Sequence, residues 1–373
     1  MQGDKATCRQ PVDMTARAAA CLRAGGMLVA VLGMLGAGPA RAEGADSSLT
    51  VEASAGRGYG LWSLLGDVGV SEATFLTLGY TGARPEAGTA ATHQLSVGVD
   101  HLAGEHWLLS GIVSLGLAKG SDTELSQERP RLNVPGLTAR TGYGSQGVQL
   151  AAGYDSAGFH KVEYGLDASL GLHRYPLRRQ LLTVSDGTPH VRYAQEDLLW
   201  VARPTLGARL LWDGRWELGL RGGFSLYSED PLTAGQFTDA EKATLESQLE
   251  GRAAARLALA GLRRRQLRDL GAAVTRRMAD VNAGTGFPSA PTRFDVKPSL
   301  TWRLNPALKG QVSYAFTRYV PTQGVAHVLA SRWTVRLGDP VRVWASVALQ
   351  RDVPEDLPAE VSGLLTLGGE YTF

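Results

Sequence analysis

The stretch Leu364-Leu365-Thr366-Leu367-Gly368-Gly369-Glu370-Tyr371-Thr372-Phe373 decides how this chain is read. In an extended backbone Leu365, Leu367, Tyr371 and Phe373 share one face, and Thr366, Gly368, Glu370 and Thr372 share the other. The alternation recurs upstream. Trp200, Leu206, Leu210 and Trp212 share a face, as do Trp216, Leu218, Leu220, Phe224 and Leu226, then Phe294, Val296, Leu300 and Trp302, then Val312, Tyr314 and Phe316, then Leu329, Trp333, Val335 and Leu337. Segments of about ten residues with one apolar and one polar face suit a wall between lipid and water.

The N-terminal residues agree. Arg9, Arg17 and Arg23 precede an uncharged run from Met27 to Gly38, and Ala40-Arg41-Ala42 supplies an A-x-A cleavage site, which predicts a secretory signal peptide over 1–42. That run is too short for a membrane-spanning helix, which needs about 20 residues. Both cysteines, Cys8 and Cys21, fall in the segment to be removed, so no thiol is expected in the mature chain, and no metal site or cofactor either. Ala19-Ala20-Cys21 precedes the apolar run, the wrong side for lipidation. Cleavage removes five of the 38 Lys and Arg and two of the 36 Asp and Glu, leaving 33 against 34. A balance so near neutrality argues against nucleic acid as partner.

Short and long links alternate along the rest. Short ones are expected at 103–105, 156–158, 213–214, 263–265, 305–307 and 338–340, and longer ones near 83–92, 120–145, 174–196, 229–249, 280–292, 321–325 and 352–362. Thirteen connections make fourteen strands, beginning near Thr74, with both ends on the periplasmic side. Thr238 and Glu241 form a capping box, predicting a short helix over 239–248 before a hairpin of 250–279. If all of 239–278 is helical, two strands vanish. The expected fold is an all-β transmembrane antiparallel up-and-down barrel of about fourteen strands, with twelve or sixteen as alternatives, over 72–373.

A final strand closing on Phe373 resembles that of bacterial outer-membrane β-barrels, porin- and transporter-like proteins in which this strand is the signal for the assembly machinery. The resemblance implies an outer-membrane location after export, outer-membrane lipid and the barrel-assembly machinery as partners, and Tyr371 and Phe373 as the assembly signal. Residues 43–71, rich in glycine, are read as a periplasmic lead or as a lumenal plug like the hatch of fourteen-stranded fatty-acid channels, with an additional strand over 49–57 as the alternative.

If apolar faces meet lipid, the opposite faces line the lumen. They carry Arg203, Arg209, Arg215, Arg221, Arg252, Arg256, Arg303, Arg332, Arg336 and Arg342, with Lys161, Arg277, Arg293 and Lys297. Facing them are only Asp100, Asp155, Glu163, Asp167, Glu217, Asp295 and Glu370. The excess predicts a basic arc attracting anions, with a more acidic sector near Asp155 and Asp167. The plainer alternative is that these arginines pair with Glu217, Asp295 and loop carboxylates and only hold the wall in shape. Small inner residues, Ser96, Gly98, Ser110, Ser114, Gly116, Gly153, Gly165 and Ser169, leave room for solute or else mark bends.

Barrel enzymes exist, but none of the seven histidines stands in a His-x-Ser pattern, and there is no phosphate-binding loop of the GxxxxGK type. Asp186 lies close to His190, in a long loop that collects such residues anyway. The expectation is therefore a non-enzymatic channel for small or elongated solutes with a preference for anions. The runner-up is a structural or interaction barrel serving polysaccharide export or surface assembly through envelope protein partners, and a barrel hydrolase comes third. Nothing in the sequence speaks to the oligomeric state.

Overall fold

The computed structural model describes residues 47–56, 60–84, 92–124, 137–156, 161–185, 188–231, 234, 291–321, 323–355 and 358–373. The strands are β1 (Ser48–Gly56), β2 (Gly60–Ser71), β3 (Thr74–Arg84), β4 (Thr92–Ala103), β5 (Trp107–Glu124), β6 (Leu137–Asp155), β7 (Val162–Ser185) and β8 (Thr188–Trp212). β9 (Trp216–Phe224) breaks at Ser225 and resumes over Leu226–Tyr227; both pieces pair with β8. β10 (Thr292–Asn305), β11 (Leu308–Tyr319), β12 (Val325–Arg336), β13 (Val341–Val353) and β14 (Glu360–Thr372) follow. The sheet has fifteen bonded segments, two of them on one strand, hence fourteen strands. Each pairs antiparallel with its neighbour, and β1 pairs with β14 from Ser48 opposite Thr372 to Gly56 opposite Leu364, closing the wall. A closed wall leaves no edge whose backbone groups would have to be buried in lipid unbonded.

The outer surface is apolar. Leu206, Trp212, Leu218, Leu220, Leu329, Val347 and Leu365 are exposed, while inward residues of β11 to β14 also include a small apolar cluster of Ala315, Val328, Ala348 and Leu364. No helix among the described residues is long and apolar enough to cross a membrane. This is a closed antiparallel β-barrel with an apolar outer surface.

Fourteen strands are present, but their membership differs from the expectation. Residues 48–71 are neither a lead nor a plug: β1 and β2 are wall strands, so the barrel begins before residue 72. β1 matches the alternative strand over 49–57, with Leu49, Val51, Ala53 and Ala55 on one face, whereas in β2 the inward Leu61 and Leu65 and the outward Gly66 break the alternation. β9 is bonded directly to β10, with Phe294 opposite Phe224 and Trp302 opposite Trp216, so the wall closes without residues 235–290. The expected helix at 239–248, hairpin at 250–279 and turn at 263–265 lie outside the described residues, as do residues 1–46 with the expected signal peptide.

The expected loop at 174–196 is also replaced. β7 and β8 run to Ser185 and Thr188 and are 24 and 25 residues long, against about ten needed to cross. Beyond the lipid band both faces meet water or protein, so the polarity rule changes. There Tyr175, Leu177, Leu199 and Val201 point inward into a buried cluster with Ala234, while Arg174 and Arg178 are exposed on the other face.

Short links at 72–73, 104–106, 156–161, 213–215, 306–307 and 337–340 define the periplasmic end, and the opposite links define the extracellular end. Asp213 and Gly214 both adopt positive φ, 52° and 63°, as a tight turn matching strand twist requires. With strands spaced about 4.8 Å apart and tilted about 40°, fourteen of them make a backbone cylinder of radius about 14 Å. Such a wall leaves a lumen wherever side chains or loops do not fill it.

Candidate functional site: the charged inner wall

The register fixes which residues share the inner face. One row runs Asp155 on β6, Gly165 on β7, Arg209 on β8 and Gly219 on β9; the next runs Asp167, Gly207, Arg221 and Lys297 from β7 to β10. Charges on alternate strands reach each other over the glycine between them. Arg209 pairs with Asp155, its Nε standing 3.2 Å from Oδ1. Arg221 Nε stands 3.7 Å from Asp167 Oδ2. A β-carbon on Gly165 would collide with both Arg209 and Asp155, and one on Gly207 would collide with the Asp167 carboxylate. These glycines are notches under ion pairs; one of them, Gly165, belongs to the small set expected to leave room or to mark bends.

A third pair crosses β9. Arg203 binds Asp295 on β10 and donates to Ser225 Oγ at 3.1 Å, at the point where β9 breaks. Arg342 Nη1 lies 3.5 Å from Glu370 Oε1. Arg332 stacks over the Trp344 ring at 4.6 Å, and Trp344 Nε1 donates to Glu52 Oε2 at 3.1 Å, tying β12 and β13 to β1 across the closing seam.

Four members of the expected arc, Arg203, Arg209, Arg221 and Arg342, are therefore paired. Asp155 and Asp167 are their partners and do not form a separate acidic sector, which corrects that expectation. Only the plainer alternative, pairing, could have pointed to this, and adjacent strand numbers in the sequence do not reveal contacts that skip a strand. The remaining members divide by position. Arg215 lies in the β8–β9 turn, Arg303 beside it on β10, opposite Lys309 on β11, and Arg336 opposite Arg342. These form a basic rim at the periplasmic end, where Arg303 and Arg336 have no carboxylate partner among the described residues. Arg252 and Arg256 lie outside the described residues.

The paired charges remain wet. The side chains of Arg209 and Asp155 are 54% and 58% exposed, and those of Arg221 and Asp167 57% and 48%, although all point into a closed wall. From β3 to β6 the inner face is small and polar, with Thr77, Gly98, Ser96 and Ser114 in register.

The histidines are dispersed. His93, His101 and His327 face outward, bonded to Tyr80, Thr74 and Tyr314. His173 is buried on the inner face, with Gly147 separating it from Ser114. His106 sits in a periplasmic turn, His190 near the extracellular tip of β8, and His160 and Asp186 lie outside the described residues. No group of three or more potential metal ligands occurs among the described residues. Tyr371 and Phe373 stack with centroids 6.1 Å apart at the end of β14.

No protein-family profile matches the chain, and no curated protein matches it. Among solved structures it is similar to the CymD monoaromatic hydrocarbon channel, at 10% identity and TM-score 0.46, covering 88% of this chain and 87% of that one. It is similar to a Pseudomonas aeruginosa FadL homologue, at 9% identity and TM-score 0.42, covering 87% and 88%. It is also similar to the KdgM porin, at 8% identity and TM-score 0.36, covering 87% and 99%. Likeness this distant carries nothing about cargo; the fold stands on its own strand pairing, that of a closed antiparallel β-barrel of fourteen strands.

Proposed function

We propose that the barrel is a passive outer-membrane channel for small or elongated solutes, with a preference for anions and no catalytic role. The observation that supports it is the wetness of the Asp155–Arg209 and Asp167–Arg221 pairs, which face a lumen and yet stand about half exposed. Water beside charges inside a closed wall is what a conducting path requires. Anion preference rests on the periplasmic rim of Arg215, Arg303, Lys309 and Arg336, where basic charge is in excess and the low-dielectric wall focuses its field. The paired arginines above it contribute dipoles more than net charge.

In planar bilayers the purified barrel is expected to give open-channel current, and its absence sinks the channel. Across a KCl gradient the reversal potential should favour chloride. Arg215→Gln/Arg303→Gln/Arg336→Gln should move it toward zero, and an unmoved potential removes the anion preference alone.

A structural or interaction barrel is the second reading. What favours it is the β7–β8 hairpin, which stands beyond the lipid band on its own buried cluster and offers a rigid extracellular platform. A barrel of that kind passes no current.

A further inference from the structure

We infer that the outward face at the extracellular rim holds a phosphorylated lipid headgroup of the outer leaflet, chiefly through Arg318, His327 and Arg351. His327 on β12 lies directly opposite Arg351 on β13, and Arg318 on β11 is diagonal to it, one outward position nearer the extracellular link. Strand spacing and rise put the three α-carbons within about 12 Å of one another. Arg318 and Arg351 are exposed and have no carboxylate partner among the described residues.

The chemistry beneath is built for a lipid. His327 Nδ1 meets the Tyr314 hydroxyl at 2.6 Å, and its ring packs on Phe316 at 5.4 Å, which packs on Phe294 at 5.9 Å. With Nδ1 held by tyrosine, Nε2 is the nitrogen able to join the arginines on a phosphate, while the aromatic rings lie against the upper acyl chains. The pattern recurs across the barrel. Tyr80 meets His93 Nδ1 at 2.8 Å with rings stacked at 6.0 Å, Trp62 lies edge-on, and exposed Arg84 stands at the end of the same strand.

The opposite rim differs. Outward positions at the periplasmic ends of the strands carry Trp107, Trp212, Trp216 and Trp333 and, among the described residues, no outward arginine. Aromatic side chains suit either interface, whereas guanidinium groups gain only where anionic headgroups meet them. The charge on the lipid-facing surface is thus sorted by leaflet. Charge-assisted bonds from Arg to phosphate oxygens are the strong kind.

The test uses the folded barrel in detergent with bisphosphorylated lipid A, the same lipid after dephosphorylation, and inorganic phosphate as competitor, bound lipid being counted by native mass spectrometry. Phosphorylated lipid should bind at least tenfold tighter than its dephosphorylated form, and inorganic phosphate should not displace it. Arg318→Gln/His327→Gln/Arg351→Gln should halve the bound lipid, and adding Arg84→Gln/His93→Gln should abolish the rest. Arg318→Lys/Arg351→Lys should retain it, and heat-shifted gel mobility should show every variant folded. Equal binding of both lipids, an unchanged glutamine variant, or a lysine variant as weak as the glutamine one would each overturn the proposal. Displacement by inorganic phosphate would reassign the site to the free anion.

Discussion

At Gly165 and Gly207 the missing β-carbon is what lets a carboxylate and a guanidinium meet over an intervening strand. A different closeness appears where Trp62 covers Gly82, Trp302 covers Gly310 and Trp344 covers Gly368, each ring lying across the glycine directly opposite it. Glycine in a strand loses entropy and leaves a gap, and a ring laid over it restores the contact. Gly207→Val should push Asp167 away from Arg221 without changing the charge of the lumen, whereas Asp167→Asn should leave Arg221 uncompensated, so chloride preference should rise for Asp167→Asn in the reversal-potential measurement; a fall contradicts the pairing. Trp344 is 8% exposed and bridges Arg332, Glu52 and Gly368 at the seam. Trp344→Ala should cost about 3–5 kcal/mol in reversible urea unfolding. The inner or outer direction of residues such as Arg203, Arg209, Arg221 and Leu206 was legible in the sequence, because parity along a recognised strand decides it. Partnership was not, since whether Arg209 meets Asp155 depends on register across three strands.

The strands carry the membrane's signature more clearly than the links between them. Leu206 is 69% exposed near the middle of the outward face of β8, and Leu206→Arg should destabilise the barrel by about 2–4 kcal/mol, measured in lipid vesicles. The same substitution outside the lipid band should cost far less. That contrast explains why the sequence suggests a loop beyond residue 174: alternation with apolar side outward ends where the lipid ends, and the apolar side turns inward onto Leu199 and Val201. The segment after β9 folds onto this extension, with Ser228 exchanging bonds with the Trp200 backbone. Burial, with the neighbouring charge of Asp197 adding to it, raises the Glu229 carboxyl above its ordinary value, while Arg179 pulls the other way. A raised acid favours docking while protonated, below the ordinary carboxylate range, and loses that contribution as pH rises through the raised value. Proteolysis after Tyr227 should therefore be slower in acid-tolerant protease assays than at neutral pH.

For the whole molecule, an antiparallel barrel with short periplasmic turns was readable from alternation and turn residues, and so was an even number of strands. The inventory was not wholly so: β1 alternates and stood only as the alternative strand over 49–57, while β2 places Leu61 and Leu65 on its inner face and Gly66 on its outer one, which breaks the periodic signal. The basic rim was visible only as part of a larger arc, most of which pairing neutralises. The rim and the leaflet-sorted outer charges predict the same response to salt: raising ionic strength should erode chloride preference and weaken the exposed phosphate contacts together, while the apolar belt holds the fold. Ser47 and Phe373 exchange both backbone bonds, N to O at 3.0 Å and 2.8 Å. The first described strand thus has one of its two mates in the last, so that edge of β1 stays open until β14 is laid beside it, and a pairing between such distant parts of the chain is costly in entropy and slow to form.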